Sequence, residues 1–208
     1  MSEDYYPYIK KFFGRWASVY DVIDLFISGI REKVVEVTNP ESGSKILDVC
    51  TGTGKQAFAF GKRGYDVLGI DLSEDMLNVA TKKNKYNNIK FKVADATDIP
   101  FEDNYFNASC ISFALHDMPI EIRESVLAEV TRVTKPKGNI VIVDYILPEN
   151  KISRFLIYHF VRFYESRYYP EFIESDFKVL LGKYRIRKEI EIPVMFGCAK
   201  ILKGINEK

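Results

Sequence analysis

The sequence predicts an α/β protein, an αβα sandwich on a seven-stranded, mostly parallel sheet whose last strand is antiparallel. Three observations predict this fold. Short apolar runs alternate with stretches of helical periodicity through the middle of the chain, which is typical of successive βαβ units. A glycine-rich segment follows the first apolar run, and two late apolar runs lie close enough to form an antiparallel hairpin.

The predicted elements alternate along the chain. A helical segment at Val19–Val37 has apolar residues at helical spacing, and Ser73 is a typical N-cap for a later helix. Strands are predicted at Lys45–Cys50, Asp66–Ile70, Ile89–Ala94, Ala108–Phe113, Asn139–Tyr145, Ile186–Ile192 and Val194–Leu202. Further helices are predicted from the glycine-rich segment to Arg63, and at Ser73–Lys83, Pro119–Val133, Lys151–Tyr169 and Asp176–Leu181.

The length of 208 residues suits one domain rather than two separate cores. We divide it into a helical cap at residues 1–44, a core at 45–145, and an aromatic segment with the final strands at 146–208.

The net charge of +1 gives no overall field that would attract nucleic acid or anionic lipid. No apolar run approaches the length of a membrane span.

The three cysteines, Cys50, Cys110 and Cys198, are widely separated and odd in number. This pattern argues against a disulfide framework and against a zinc site. It favours a reducing compartment, so we expect a cytoplasmic protein with no metal site.

The glycine-rich segment Asp48-Val-Cys-Thr-Gly-Thr-Gly-Lys-Gln-Ala57 lies between a strand and a helix, where glycines allow a ligand to approach the backbone. It is not a P-loop, because Val49 and Gln56 stand where that motif requires glycine and Ser or Thr. It does satisfy G-x-G-x-x-A, so an NAD-dependent oxidoreductase stays an alternative. Beyond the glycine-rich segment, the Tyr-x-x-x-Lys spacing of a short-chain dehydrogenase occurs only at Tyr86/Lys90 and Tyr184/Lys188, which fall in a predicted loop and in or near predicted strands rather than on a helix.

Three acidic residues end successive strands. Asp48 precedes the glycines, Asp71 ends the second strand, and Asp95 follows the third. A carboxylate beside the glycines would repel a pyrophosphate but would attract a ligand with ammonium and sulfonium groups. Asp71 can accept ribose hydroxyls, and Asp95 can accept an adenine amino group. Any one of them could instead be a helix cap, but the set in register with the glycines favours a binding site.

These residues resemble the class I methyltransferases that depend on S-adenosylmethionine (SAM), whose Rossmann-like sandwich has the predicted architecture. The resemblance rests on four blocks: Ile46–Gly54, Gly64–Leu77, Ala94–Phe106 and Leu127–Gly138. Cys50 stands at the usual first glycine of the first block. The resemblance implies SAM as cofactor and S-adenosylhomocysteine as product.

Within that superfamily the chain is most similar to the ubiquinone/menaquinone biosynthesis C-methyltransferases. The similarity rests on Ala17–Ile23, on the Asp-Val-Cys start of the glycine loop, on Ser112–Pro119 and loosely on Phe196–Gly204. Members of that branch commonly have Arg-Asn where this chain has His116 and Asp117. The resemblance therefore implies a quinone-like acceptor less firmly than it implies the cofactor.

The resemblance also implies roles for individual residues. The methionine moiety would be held by Asp48, Gly52 and Gly54, with Thr53 nearby and Tyr20 closing over it. The ribose would be bound by Asp71, with Leu72 or Met76 packed on the adenine or ribose. The adenine edge would be read by Asp95 and the Ala96 amide, and the cavity beside the sulfonium would be lined by Ser112 and Phe113.

Methyl transfer requires the protein to align the nucleophile of the acceptor with the methyl donor and to exclude water. A base accelerates the reaction when that nucleophile carries a proton. His116 is the best base candidate, because it follows the fourth strand, and Asp117 could orient it. The competing interpretation is that His116 is only a helix cap or loop residue. We expect the acceptor pocket to be walled by Tyr20, by residues 113–117 and by the aromatic segment 155–169, which could equally serve dimer packing.

The sequence therefore predicts a methyltransferase for a small, apolar or aromatic acceptor, with quinone-like C-methylation as one form. Expected partners are that acceptor, a membrane surface if the acceptor is a lipid quinone, and a second copy of the chain, but not nucleic acid. A macromolecular methyltransferase is disfavoured by the neutral charge. The alternatives are an NAD-dependent oxidoreductase and a non-catalytic SAM-binding protein.

Overall fold

The computed structural model describes residues 4–16 and 28–208. The helices are α1 (Tyr5–Trp16), α2 (Ser28–Thr38), α3 (Lys55–Lys62), α4 (Glu74–Lys83), α5 (Ile120–Val133), α6 (Lys151–Tyr164), α7 (Tyr169–Glu174) and α8 (Phe177–Lys183). The strands are β1 (Lys45–Val49), β2 (Asp66–Asp71), β3 (Ile89–Val93), β4 (Phe106–Ser112), β5 (Thr134–Tyr145), β6 (Ile186–Val194) and β7 (Ala199–Asn206). The part of the predicted Val19–Val37 helix before Ser28 lies outside the described residues.

The seven strands form one sheet in the order β3-β2-β1-β4-β5-β7-β6. Every neighbouring pair from β3 to β5 is parallel, whereas β7 runs antiparallel to both β5 and β6. The predicted sheet, parallel with an antiparallel last strand, is confirmed. The strand order reverses between β1 and β4, and ligands of open α/β sheets bind at such a point, outside the carboxyl ends of the strands.

Side chains that alternate along the buried strands supply a core on each face of the sheet. Ile46 in β1 packs with Val34 of α2 and Phe60 of α3 on one face. Its neighbour Leu47 belongs to the other face, where Leu127 of α5 also packs. Both strand residues have no exposed surface. This two-sided burial explains why the strands are continuous apolar runs.

The start of β5 differs from the prediction. Residues 135–138, which fall between the predicted helix and the predicted strand, lie inside the strand, which begins at Thr134 rather than at Asn139. Thr134 pairs with Phe106 and Asn139 pairs with Ala108, so the intervening residues form a bulge. Lys137 has a left-handed φ of 62° there, which accommodates the extra residues.

The helix predicted at Lys151–Tyr169 is interrupted. It ends at Tyr164, and α7 begins only at Tyr169. Glu165 has extended backbone angles, and the Ser166 amide donates to the Asp117 carboxylate at 3.4 Å. This contact with the loop after β4 accompanies the break, which the aromatic pattern did not predict.

The turn and the second strand of the final hairpin come later than predicted. β6 runs to Val194 and β7 begins at Ala199, with a 3₁₀ turn at Met195–Gly197 between them. All three turn residues have left-handed φ values of 51–85°. Among residues 4–16 and 28–208, no helix combines the length and apolar character needed to cross a membrane.

Candidate functional site

The carboxyl ends of four neighbouring strands carry most of the residues singled out by the sequence. The loop at residues 50–54 follows β1, Asp71 ends β2, Asp95 follows β3, and Ser112 ends β4. The loop after β1 contacts the end of β2 directly, because the Gly52 amide donates a hydrogen bond to the Asp71 carboxylate at 2.8 Å. The structure thus gathers the predicted binding residues at one edge of the sheet.

The loop after β1 has three residues in the left-handed region. Cys50 and Gly52 both have a φ of 55°, and Gly54 has a φ of 80°. Gly54 is also crowded, since a Cβ placed there would lie 2.7 Å from the Phe91 ring. A Cβ at Gly52 would meet nothing within 4 Å. Gly54 is therefore required by packing, whereas Gly52 leaves open space above the loop.

Asp48 lies beneath this loop rather than in the open space. It is 1% exposed, and its carboxylate accepts hydrogen bonds from the Thr51 hydroxyl and the Ala57 backbone amide. Burial raises the pKa of Asp48 to about 7. Asp48 therefore holds the shape of the loop, and its predicted contact with a methionine moiety stays a prediction.

The buried Asp48 predicts a specific pH dependence. Its pKa is higher in the folded chain than in the unfolded chain, so the folded state retains the proton from about pH 4 to about pH 7. The contribution of Asp48 to stability is therefore present at low pH and is lost as the pH rises through 7. Urea denaturation should show the free energy of unfolding of wild type falling, relative to Asp48→Asn, by on the order of 2 kcal/mol between pH 5 and pH 7. Parallel pH profiles for the two proteins would contradict this assignment.

Asp71 connects the loop after β1 to the helix after β2. One of its oxygens accepts from the Gly52 amide, and the other accepts from the Ser73 amide at 2.9 Å. Each carboxylate oxygen can accept two bonds, so capacity remains for ligand hydroxyls. Burial raises the pKa of Asp71. Nearby, Leu72 is half-buried and Met76 is buried.

The loop after β3 is fixed locally and is contacted by the N-terminal helix. Asp95 accepts from the Thr97 amide at 2.9 Å and from the Thr97 hydroxyl at 2.8 Å. The Tyr6 hydroxyl of α1 lies 3.3 Å from the same Thr97 hydroxyl. Ala96 follows Asp95 and packs against the main core. Helix α1 thus lies over the predicted adenine-binding loop.

The end of β4 lies next to the end of β5. The Ser112 hydroxyl is 3.4 Å from the Cys110 sulfur, and Phe113 has a left-handed φ of 51°. The Phe113 ring packs edge-on against Tyr145 at 5.5 Å. Thr53, in the loop after β1, is buried. The predicted roles of these residues beside a sulfonium stay predictions.

His116 lies in a 3₁₀ turn after β4 and is 1% exposed. Its Nδ1 is 2.7 Å from the carboxylate of Asp144 in β5. The same carboxylate accepts from the backbone amides of Leu115 and His116 and from that of Tyr145. Asp144, rather than Asp117, therefore orients the imidazole through Nδ1.

Two more carboxylates lie on the other side of the imidazole. His116 Nε2 is 3.4 Å from Asp117 and 3.3 Å from Glu165. Burial disfavours the imidazolium, but the carboxylates of Asp117, Asp144 and Glu165 outweigh it and raise the pKa of His116 well above its usual value. Burial also raises the pKa of Asp117 to about 6. The Tyr145 hydroxyl donates to Glu165 at 2.8 Å.

Sequence reasoning missed Asp144, Tyr145 and Glu165. An available signal was the acid at the end of the apolar run Ile140–Tyr145, which repeats the pattern of Asp48 and Asp71. Glu165 had no comparable signal, because it follows a helix whose aromatic pattern continues past it. Only the fold brings these residues to His116.

Helix α1 and the segment after α6 meet over this edge. The Tyr5 ring is edge-on to Tyr168 at 5.8 Å, and the Arg167 amide donates to the Tyr8 hydroxyl at 3.2 Å. Tyr5 is 5% exposed, and its pKa is raised by burial and by the nearby Cys50 and Asp117. Tyr5 is therefore the aromatic cover that the structure shows. Tyr20, the predicted one, lies outside the described residues.

A cavity of about 430 Å³ lies beside β5. Its volume falls in the range of small-molecule sites. Asp144 and Tyr145 line it and also contact His116, while Phe172 and Phe177 supply aromatic walls. The cavity is separate from the glycine loop, and its lining does not include the predicted walls at residues 113–117 and 155–169.

Comparisons with known proteins agree with this geometry. A methyltransferase domain family model matches residues 46–138. A demethylmenaquinone methyltransferase of Paenarthrobacter aurescens is 37% identical over 145 residues, which cover 67% of this chain and 56% of that protein. The chain thus spans little more than half the length of this relative.

Two further comparisons cover more of the molecule. The ubiquinone/menaquinone biosynthesis C-methyltransferase of Rickettsia prowazekii is 33% identical over 178 residues, which cover 78% of this chain and 68% of that protein. A crystal structure of a SAM-dependent methyltransferase from Aquifex aeolicus matches 85% of this chain and 89% of its own, with 24% identity and a TM-score of 0.65. The chain therefore belongs to the class I SAM-dependent methyltransferases and is related to their ubiquinone/menaquinone biosynthesis C-methyltransferase branch.

Proposed function

We propose that this chain transfers the methyl group of SAM to a small apolar or aromatic acceptor, with C-methylation of a quinone-type ring as the favoured reaction. The observation that carries the proposal is the contact between the Gly52 amide and Asp71. It joins the glycine loop to the acid after β2 at the point where the strand order reverses. The similarity to a demethylmenaquinone methyltransferase supports the choice of acceptor class.

The cofactor would lie across the carboxyl ends of β1 to β4. Its methionine end would meet Gly52, Thr53 and Gly54 above the buried Asp48. Its ribose would bind Asp71, and its adenine would bind Asp95 and the Ala96 amide, with Leu72 and Met76 alongside. Ser112 and Phe113 would face the sulfonium. The acids suit a ligand that carries ammonium and sulfonium charges.

The His116–Asp117 end of the site would handle the proton of the acceptor. A ring carbon next to a hydroxyl becomes a better nucleophile when that hydroxyl loses its proton, and a positioned group accelerates such a transfer by roughly 10²–10⁴-fold. Asp117, the neighbour of His116, lies near the Tyr5 cover. Acceptor entry therefore requires α1 or the segment after α6 to move.

The acceptor is tested by methyl transfer in vitro. Purified chain, SAM labelled in the methyl group, and a short-chain demethylmenaquinone kept reduced with dithionite should yield label in the organic phase. Hydroquinone serves as a polar acceptor with the same para arrangement of hydroxyls. Transfer to hydroquinone but not to the reduced quinone would overturn the acceptor class. SAM binding without transfer to any aromatic acceptor would favour a non-catalytic SAM-binding protein.

We expect α1 and α6 to become more protected when the cofactor site is filled. The contacts of Tyr5 and Tyr8 with Arg167 and Tyr168 link α1 to the segment directly after α6, over the edge where the cofactor would bind. Amide hydrogen exchange with S-adenosylhomocysteine should slow in both helices, while the distant β6–β7 hairpin serves as an internal control. Protection of the glycine loop without any change in α1 or α6 would contradict the proposed cover.

A further inference from the structure

The hydrogen bonds around His116 determine which nitrogen carries a proton. Both carboxylate oxygens of Asp144 accept hydrogen bonds from backbone amides. A carboxylate that acts as an acceptor at both oxygens also accepts the hydrogen bond from His116 Nδ1, at 2.7 Å. Nδ1 therefore carries a hydrogen, and Nε2 presents a lone pair whenever the imidazole is deprotonated. That lone pair faces two carboxylate oxygens, which are acceptors as well.

Nε2 and its surroundings are buried without partners. Both His116 Nε2 and Asp117 Oδ2 lack any hydrogen bond, although their side chains are at most 3% exposed. The Tyr169 hydroxyl is a third buried atom without a partner, and it interacts electrostatically with Glu165 and Asp144. Buried polar atoms in folded proteins are nearly always satisfied, so three in one place indicate a missing ligand.

The charges in this cluster do not balance. Three carboxylates, those of Asp117, Asp144 and Glu165, surround one imidazole. The buried Arg123 nearby interacts electrostatically with Asp144, but it donates its hydrogen bonds to the carbonyl oxygens of Leu115 and Met118 rather than to these carboxylates. Several buried negative charges with few positive groups to neutralise them favour the binding of a cation.

The distances suit a metal ion. Metal bonds of 2.0–2.2 Å in a tetrahedral site separate neighbouring ligand atoms by about 3.4 Å. Nε2 lies 3.4 Å from Asp117 Oδ2 and 3.3 Å from Glu165 Oε2, and the three ligand atoms lie within 4.8 Å of one another. A carboxylate behind the other imidazole nitrogen, as Asp144 is here, is the usual way in which proteins orient a metal-binding histidine.

We propose that His116 Nε2, Asp117 and Glu165 bind one divalent first-row transition-metal ion, with Asp144 as the positioning residue. One nitrogen and two oxygen donors suit Zn²⁺ or Mn²⁺. Three protein ligands leave a coordination position for an oxygen atom. Binding of the ion does not depend on the proposed function, whereas its use to hold an acceptor oxygen rests on it. The cysteine pattern had predicted a chain without a metal site.

Calorimetry on the metal-stripped chain tests the proposal, with ZnCl₂ and MnCl₂ as probes. We expect one ion per chain, with a dissociation constant of about 10 µM or lower for at least one of the two metals, and a matching rise in the unfolding temperature. Glu165→Gln should weaken binding by about 100-fold or more. Asp144→Asn should weaken it by about 10–100-fold, as expected for a residue that orients a ligand.

Glu165→Gln is a suitable variant because its amide oxygen can still accept from the Tyr145 hydroxyl. Without metal it should be at least as stable as wild type, since it removes one charge from a cluster of like charges. Glu174→Gln, at an exposed acid in α7, is the matched control and should bind metal as wild type does. A Glu165→Gln protein that is less stable than wild type without metal would contradict the charge argument.

Absence of saturable Zn²⁺ and Mn²⁺ binding by wild type would overturn the proposal and indicate a protonated imidazole instead. Metal binding unchanged in Glu165→Gln would overturn it too, because the ion would then lie elsewhere. SAM binding is measured on the same samples. Metal binding without SAM binding would refute the proposed function alone, and SAM binding without metal binding would refute the metal site alone.

Discussion

Gly54→Ala is expected to lower the free energy of unfolding by about 2–5 kcal/mol. Two effects add, because a left-handed residue other than glycine costs about 1–2 kcal/mol and overpacking costs about 1–3 kcal/mol. Gly54 has a φ of 80°, and an added Cβ would lie 2.7 Å from Phe91, 3.0 Å from Ala80 and 3.1 Å from Phe58. Urea denaturation monitored by circular dichroism measures the loss.

Gly52→Ala is the matched control two residues earlier. It has the same sign of φ, at 55°, but its Cβ would meet nothing within 4 Å. We expect a stability loss of only about 1–2 kcal/mol from the backbone. The added methyl would lie in the space assigned to the methionine moiety, so SAM affinity should fall by roughly tenfold or more. Equal stability losses in the two variants would contradict the packing role of Gly54.

His116→Gln is expected to reduce kcat by roughly 10²–10⁴-fold, the usual contribution of a site that assists the loss of the acceptor's proton. The variant removes Nε2, the atom that faces Asp117 and Glu165. SAM affinity should stay within about twofold, because His116 lies beyond β4 and outside the predicted cofactor residues. Steady-state kinetics with the acceptor, together with calorimetry for SAM, separates these two effects.

His159→Gln is the natural control, because the chain has only these two histidines. His159 is exposed on α6 and packs on the Phe155 ring at 4.4 Å. Its replacement should leave kcat within about twofold. If His116→Gln also loses less than tenfold, His116 has a structural role only, and the predicted part in catalysis is wrong.

The sheet could be predicted because local patterns determine it. Apolar runs such as Ile46–Val49 are buried on both faces, and this burial leaves a continuous apolar signature. The residues of the predicted cofactor edge could be located for the same reason, since Asp48, Asp71 and Asp95 come at strand ends. The boundaries of β5 and of the last hairpin were less accurate, because bulges and left-handed turns depend on pairing with neighbours.

The cluster at His116 could not be predicted, because it depends on contacts between distant parts of the chain. Asp144 is 28 residues beyond His116, and its role follows from the pairing of β4 with β5. Glu165 reaches the imidazole only because the helix breaks there, while Asp117 accepts from the Ser166 amide. The aromatic pattern before and after Glu165 favours an unbroken helix.

Calorimetry of SAM and NAD binding to wild type and Asp71→Ala tests most directly whether this edge is a SAM site. Asp71 is the residue that contacts the glycine loop and retains capacity for ribose hydroxyls. We predict one SAM per chain, no NAD binding, and a loss of about 1–3 kcal/mol of SAM binding free energy in Asp71→Ala. NAD binding in place of SAM, or an unchanged SAM affinity in Asp71→Ala, would contradict the account.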